Sequence, residues 1–170
     1  MDRSSFELMQ WFVKSYLKDE VTTILDVGSM DINGTYKPAF TNPKWKYFGL
    51  DIEDGKNVDL VALSPYEYPI DDDVYDVVIS GQTGEHVEDI YAWADELIRV
   101  LKPGGLLYVA IPAAWNEHRY PVDCWRVLPD GMRWMFVKRT KKVEEVFIGS
   151  YYEPFGAWTM GSTYAVFKKL

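Results

Sequence analysis

Side chains that could bind and activate a ligand are concentrated in one short stretch, AAWNEHRYPVDCWR. His118 is the first candidate for a general base, because imidazole exchanges a proton near neutral pH, and Asp123 is the second. Arg119 and Arg126 could each clamp a carboxylate or a phosphate. The other candidates for substrate binding are aromatic: Trp115, Tyr120 and Trp125.

A structural interpretation of the same stretch stays open. Arg119, Asp123 and Arg126 could form ion pairs that hold a loop in shape, while Trp125 packs against the body of the protein. The residue types alone do not separate this interpretation from ligand binding.

Short apolar segments alternate with helical patterns before this stretch. Strands are predicted over residues 22–27, 45–51, 58–62, 76–80 and 106–111, and helices over 4–18 and 89–101, with a sharp turn at 102–105. Strands that are apolar on both faces and alternate with helices indicate a parallel sheet covered on both sides. Beyond residue 112, a helix over 129–137 and two strands over 143–152 and 162–168 are predicted.

The ends of the predicted strands carry a second group of candidates, because ligands of open parallel sheets bind beyond the carboxyl ends of the strands. The first strand runs into Asp26-Val27-Gly28-Ser29 and the fourth into Ser80-Gly81-Gln82, and a glycine lets a ligand approach the backbone closely. Asp51 ends the second strand, where a carboxylate could accept hydrogen bonds from both hydroxyls of a ribose. Two simpler roles stay open: Asp26 as an ordinary strand-end carboxylate, and Asp51 as the start of a turn.

Taken in order, the segments LDVGS, FGLDIE, YDVVISGQTGEHVED and IRVLKPGGLLYVAIP resemble the class I S-adenosylmethionine-dependent methyltransferases. The resemblance covers residues 24 to 112. It implies S-adenosylmethionine as the cofactor, with Asp26 near its ammonium, Asp51 on its ribose and Ile52 against its adenine. The full set of implied cofactor-binding residues is Asp26, Gly28, Ser29, Asp51, Ile52, Ala62, Leu63, Ser80, Gly81 and Gln82.

The sequence departs from the family pattern in two places. Met30 and Ile32 stand where further glycines are usual in the first loop, and the next glycine is Gly34. The third strand ends in Val61-Ala62-Leu63, without the acidic residue that often reads the adenine amino group.

Two other functions are alternatives. A dinucleotide-dependent oxidoreductase ranks lower, because Gly28-Ser29-Met30-Asp31 breaks the G-x-G-x-x-G spacing and places a carboxylate near any pyrophosphate. The second alternative is a non-catalytic module that binds S-adenosylmethionine.

Composition limits the class of protein and its partners. The 170 residues carry a net charge of −8, which makes nucleic acid and anionic membrane poor partners. The single cysteine, Cys124, excludes an intrachain disulfide and a cysteine zinc cluster, so we expect no metal site and a cytoplasmic location. His86, which follows Glu85, is interpreted as a packing or capping residue.

The charge is unevenly distributed along the chain. Residues 1–112 hold 20 acidic and 9 basic side chains, a net of −11, whereas residues 113–170 hold 6 and 9, a net of +3. The positive segment could serve an anionic acceptor, or it could reflect solvated lysines on strands and a helix. The stretch H-R-Y-P-x-D-x-W-R is also similar to one in a subgroup of small methyltransferases suspected of acting on sugars or cell-envelope precursors.

We therefore expect one α/β domain over residues 1–170, with a Rossmann-like methyltransferase fold. Its mostly parallel seven-stranded sheet has helices on both faces and an antiparallel C-terminal strand pair. The segments are an N-terminal helix (1–20), a cofactor-binding core (22–112), and an acceptor loop with the strand pair (113–170). The predicted reaction is in-line transfer of a methyl group to a small-molecule acceptor, a sugar or an anionic metabolite. A partner subunit could help to bind that acceptor.

Overall fold

A seven-stranded mixed sheet forms the centre of the computed structural model, which describes residues 3–156 and 158–170. In chain order, the strands are β1 (Thr23–Val27), β2 (Lys46–Asp51), β3 (Leu60–Val61), β4 (Tyr75–Gly81), β5 (Leu101–Ala114), β6 (Val143–Phe155) and β7 (Trp158–Lys169). Their order across the sheet is β3-β2-β1-β4-β5-β7-β6. Strands β1 to β5 run parallel, and β7 lies antiparallel to β5 and β6. The predicted fold class is confirmed.

Within these described residues, three α-helices accompany the sheet: α1 (Arg3–Tyr16), α2 (Ile90–Val100) and α3 (Pro129–Arg133). A π-helical turn continues α3 over Trp134–Lys138, and short 3-10 turns lie at Lys37–Ala39 and Gly84–His86. Helix α2 begins where the carboxylate of Asp89 accepts hydrogen bonds from two free backbone amides of the first turn. Within the described ranges, no helix is long and apolar enough to cross a membrane.

The helices cover opposite faces because side chains alternate along each strand. In β4, Val77 and Ile79 join the buried cluster beneath α1, whereas Val78 joins the cluster beneath α2 and α3. Both clusters are apolar, which explains why the central strands read as continuous hydrophobic runs.

The chain reverses its direction of travel across the sheet between β1 and β4. Strand β1 pairs with β2 on one side and with β4 on the other, so the chain builds outward to β3 and then returns past β1. The crevice beyond the carboxyl ends of β1 and β4 is the usual ligand position in such sheets.

Several predicted boundaries need correction. Helix α1 ends at Tyr16 instead of residue 18, and β3 has only two residues. The segment predicted as a turn at 102–105 lies inside β5 as a bulge, since Leu101 pairs with Tyr75 and Leu106 with Val77. Gly104 supplies the left-handed backbone, with a φ of 77°, that lets the chain bulge there.

The C-terminal hairpin is longer than predicted. Its paired positions extend from Val143 and Lys169 to Phe155 and Trp158. Residues 153–155 and 158–161, which lie between the two predicted strands, therefore belong to the ladder, because backbone pairing overrides the weak strand preference of Gly161.

Candidate cofactor and acceptor site

Gly28 and Gly81 stand at the carboxyl ends of β1 and β4, on the crevice defined by the strand order. Gly28 has a φ of 80°, and a Cβ there would lie 2.1 Å from the Oγ1 of Thr83. A Cβ on Gly81 would lie 2.3 Å from the hydroxyl of Tyr36. Both positions therefore require glycine, and sequence reasoning missed the two side chains packed against them.

Asp51 lies at the end of β2 with its carboxylate fixed by backbone amides. Its Oδ2 accepts a hydrogen bond from the amide of Met30 at 2.9 Å, and its Oδ1 accepts one from the amide of Ile52 at 2.8 Å. Each oxygen keeps a second lone pair, so the half-buried carboxylate can still accept from ligand hydroxyls. The same contacts tie the loop after β1 to the end of β2.

Asp26 is almost completely buried, with 2% of its surface exposed, and accepts a short hydrogen bond from the hydroxyl of Tyr47 on β2. Burial raises the pKa of Asp26 to about 7, and the negative charge of Asp51 acts in the same direction. The hydrogen bond from Tyr47 opposes this rise because it favours the charged form. Nothing in the sequence distinguished Tyr47 as a partner of Asp26 beyond its place in a predicted strand.

The other polar residues predicted around the crevice direct their side chains into the protein. The hydroxyl of Ser29 donates to the carbonyl of Asn57 at 2.9 Å, and the hydroxyl of Ser80 donates to the carbonyl of Val27 at 2.8 Å. These two serines hold neighbouring segments together, so contact with a ligand would come from their backbone.

Gln82 has a left-handed backbone, with a φ of 59°. Its side-chain nitrogen lies 3.3 Å from the hydroxyl of Ser5 on α1 and 3.1 Å from the hydroxyl of Ser162 on β7. The segment after β4 is thus connected to the first helix and to the C-terminal hairpin.

Apolar side chains are exposed beside Asp51. Ile52 and Leu63 follow the ends of β2 and β3, and 45% and 71% of their surfaces are exposed. Ala62 between these strand ends is buried, and its amide donates to the carbonyl of Asp51 at 2.8 Å. Exposed aliphatic side chains beside a carboxylate suit a planar apolar ring carried by a ribose.

Arg126 and Asp123 form an ion pair at the base of the loop after β5. The two side chains are joined by bonds of 2.5 and 2.7 Å, and Asp123 is 2% exposed. Arg126 also donates to the carbonyls of Trp115, Asn116 and Trp125. Arg126 is therefore fully engaged in holding the loop, and its hydrogen bonds, helped by its charge, lower the pKa of Asp123 to about 2.

The remaining loop residues divide into exposed and packed ones. Among the residues that the structure describes, Arg119 forms an ion pair with Glu117 alone, at 2.7 Å, and both side chains are largely exposed. Tyr120 is also exposed, at 63%. The ring nitrogen of Trp125 donates to the carbonyl of Val87 at 2.8 Å, and its ring packs against the core, so Trp125 anchors the loop.

His118 lies next to Glu85 and His86. Neither of these residues was predicted from the sequence to have a catalytic role. Its ring makes an edge contact with that of His86, with centroids 5.0 Å apart, and contacts Trp115 at 6.2 Å. Its Nε2 is 3.8 Å from the Oε1 of Glu85. A signal was available in the sequence: the two histidines follow neighbouring parallel strands, whose carboxyl ends meet at one edge.

Glu85 is completely buried in the 3-10 turn after β4. Neither carboxylate oxygen meets a hydrogen-bond partner within residues 3–156 and 158–170. Burial raises the pKa of Glu85 to about 8, against the opposing effects of its own amide and of the positive charge of Arg126. The pKa of His86 is lowered, first by burial and also by His118.

This strand order, with a fixed carboxylate after β2 and glycines after β1 and β4, is the arrangement of a Rossmann-like methyltransferase. A family model described as "Methyltransferase domain" matches residues 25–109, which is half of the chain. The chain therefore belongs to the class I S-adenosylmethionine-dependent methyltransferases, and S-adenosylmethionine is its cofactor.

Individual relatives agree with this family. The chain is 30% identical over 116 residues to a 2-methyl-6-phytyl-1,4-hydroquinone methyltransferase of Synechocystis, which is 61% of this chain and 36% of that protein. It thus spans about a third of the length of the sequence relatives that it matches.

Solved structures show the same fold at low sequence identity. A candidate methyltransferase of Bacillus halodurans aligns with a TM-score of 0.78 at 14% identity, over 98% of this chain and 99% of that one. A SAM-dependent methyltransferase of Aquifex aeolicus aligns with a TM-score of 0.58 at 22% identity, over 97% and 93%.

Proposed function

We propose that this chain transfers a methyl group from S-adenosylmethionine to a small-molecule acceptor held by the loop 115–126. The observation that carries the proposal is the fixed carboxylate of Asp51 beside the β1/β4 crevice, with the loop after β5 at the same edge of the sheet. When bound, the cofactor supplies a methyl group carried on its sulfonium sulfur.

The chain's own residues would position that cofactor. Asp51 would accept hydrogen bonds from the ribose hydroxyls, while Ile52 and Leu63 would cover the adenine. Gly28 and Gly81 would offer backbone contacts along the methionine end, beside the buried Asp26. Ser29, Ser80, Ala62 and Gln82 would act through their backbone and through the segments that they hold.

On the acceptor side, alignment and exclusion of water matter more than acid or base chemistry, because displacement at a sulfonium is in line. Arg119, Tyr120 and Trp115 are the side chains free to touch a sugar or an anionic metabolite. His118 is the candidate base for a hydroxyl acceptor. Asp123 and Arg126 would position His118 and the loop, since the Oδ2 of Asp123 accepts from the amide of His118 at 2.7 Å.

Location and partners are part of the same proposal. One cysteine suits a reducing compartment such as the cytoplasm, and the acidic chain favours a small molecule over nucleic acid. The loops 115–126 of two subunits could together hold one acceptor. The oligomeric state should therefore be measured together with the activity.

The cofactor part is tested by calorimetric titration with S-adenosylhomocysteine. Asp51→Asn should weaken binding about thirtyfold, corresponding to about 2 kcal/mol, because a charge-assisted contact to the ribose is lost. Asp54→Asn, three residues further along and exposed, is the matched control and should bind as the parent does. Equal affinity in Asp51→Asn would remove the proposed ribose contact.

Transfer of labelled methyl groups to small molecules of a cell extract separates an enzyme from a binding module. The parent chain should label a low-molecular-mass fraction, and Asp51→Asn should label it less at low cofactor concentration. Binding of S-adenosylhomocysteine without any transfer would favour the non-catalytic alternative.

A further inference from the structure

Three atoms that carry lone pairs converge beneath the loop after β5. One carboxylate oxygen of Glu85 and one ring nitrogen each of His86 and His118 lie within 4.8 Å of one another. The Nε2 atoms of His86 and His118 are 3.7 and 3.8 Å from the Oε1 of Glu85. Ligand atoms around a tetrahedral zinc ion are about 3.4 Å apart, given bonds of about 2.0–2.1 Å, so closing the widest pair by up to about 1.4 Å would bring these atoms to bonding positions.

The hydrogen bonds of both imidazoles leave the correct nitrogen free. The Nδ1 of His86 is 2.7 Å from the carbonyl oxygen of Val122, and the Nδ1 of His118 is 3.1 Å from that of Asn116. A carbonyl oxygen only accepts, so each Nδ1 carries a hydrogen, and in the neutral imidazole each Nε2 then keeps its lone pair. Backbone carbonyls orient metal-binding histidines in this way.

Glu85 supplies an independent observation. It is 0% exposed, and its two oxygens have no hydrogen-bond partner among the described residues. A buried carboxylate without a donor is costly, and the two nearest ring nitrogens, 3.7 and 3.8 Å away, are too distant to donate a hydrogen bond to it. A cation among the three atoms would satisfy all of them at once.

We propose that Glu85, His86 and His118 bind one divalent transition-metal ion of the zinc class. Two imidazoles and one carboxylate suit zinc and its neighbours, whereas magnesium and calcium prefer oxygen ligands. No metal site was predicted from the sequence because only cysteine ligands were considered, whereas this site uses the two histidines of the chain.

Three protein ligands leave a further coordination position for water or an exogenous oxygen. The side chain of His118 is 40% exposed, so that position has access to the loop 115–126. If the methyl transfer proposed above holds, an acceptor oxygen could occupy it. Metal binding would then replace the base role of His118, because its Nε2 would be held by the ion.

The test is a calorimetric titration of the full chain with zinc, in the absence of cofactor. A chelator first removes any bound metal. We expect one zinc per chain, and an affinity at least about a hundredfold lower in Glu85→Gln and in His118→Gln. Magnesium should not compete. Cobalt substitution should give the intense visible absorption of a four- or five-coordinate ion, and His118→Gln should abolish it.

Two matched variants control the titration. Glu88→Gln alters an exposed carboxylate three residues from Glu85, and Cys124→Ser removes the one thiol, so both should bind zinc as the parent does. His118 lies in an exposed loop, so His118→Gln decides the question even if Glu85→Gln fails to fold. No zinc binding by the parent, undiminished binding by His118→Gln, or loss of binding in Cys124→Ser would overturn the proposal. Because no cofactor is present, each of these results is independent of methyl transfer.

Discussion

At the scale of single residues, two carboxylates near the carboxyl ends of β1 and β2 are fixed by partners from other segments of the chain. Asp51 lies at the end of β2, and Asp26 lies within β1, where it is buried. Their hydrogen bonds could not be predicted, because Tyr47 and the amide of Met30 reach them through the register of β2 and the path of the first loop. Partners of this kind depend on tertiary packing, which residue spacing does not encode.

The raised pKa of Asp26 predicts a pH-dependent cost to stability. Between its ordinary value near 3.8 and its value of about 7 in the folded protein, the unfolded chain loses the proton while the folded chain keeps it. Asp26 therefore contributes stability below about pH 4 that is lost as the pH rises to about 7. Asp26→Asn should remove this dependence and stabilise the protein near pH 8 by up to about 4 kcal/mol, with little difference near pH 4.

Urea denaturation of both proteins at pH 4.5, about 6 and about 8 measures the effect. The difference between parent and variant cancels the contributions of all other titrating groups, Glu85 included. A difference in free energy of unfolding that does not change with pH would contradict the burial of a protonated Asp26. Asp54→Asn, at an exposed carboxylate, should show no such trend.

At the scale of elements, periodicity predicted the central strands and α2 because their packing is regular. The errors fall where one element depends on another: β3 is short at the sheet edge, and residues 102–105 bulge inside β5 because the parallel partner continues. The loop after β5 illustrates the same limit. Its residue types fit both a binding site and an ion-paired staple, and only its contacts show that Arg126 holds the loop while Arg119 stays exposed.

Replacing Arg126 tests the structural role of this loop. Arg126→Lys keeps the charge but loses the paired contacts to Asp123 and most of those to the carbonyls, so it should lower the free energy of unfolding by about 1–3 kcal/mol. Arg119→Lys is the matched control and should change stability by less than about 0.5 kcal/mol, since its ion pair is exposed. Urea denaturation gives both values, and chymotrypsin should cleave the loop faster only in Arg126→Lys. Unchanged stability and cleavage in Arg126→Lys would mean that the ion pair between Arg126 and Asp123 does not hold the loop.

At the scale of the whole molecule, the uneven charge of the chain is largely accounted for by internal pairing. Arg139 on the positive C-terminal segment bonds Asp95 on α2, and Lys169 bonds Asp73 before β4. Within that segment, Arg126 pairs with Asp123 and Arg133 with Glu145. The net charge of residues 113–170 therefore offers little support for an anionic acceptor, and within the loop 115–126 the exposed Arg119 is the cation that still does. A charge count along the chain could not show this, because it carries no information on which segments meet.

Lys169 connects the end of the chain to the first half of the fold, and this connection gives a prediction at the molecular scale. Its Nζ lies 2.7 Å from the carbonyls of Ile98 and Leu101 at the end of α2, and 2.6 Å from Asp73. A cation at a helix C-terminus satisfies free carbonyls and the helix dipole, and this side chain is only 15% exposed. Lys169→Met should therefore lower the free energy of unfolding by about 1–3 kcal/mol.

Lys168→Met is the matched control, because it removes the neighbouring, half-exposed lysine, which lies 3.9 Å from Glu144. This variant should change the free energy of unfolding by less than about 0.5 kcal/mol. Urea denaturation of the two variants side by side measures the difference. Equal effects would show that the contacts of Lys169 with α2 add nothing beyond those of an exposed surface lysine.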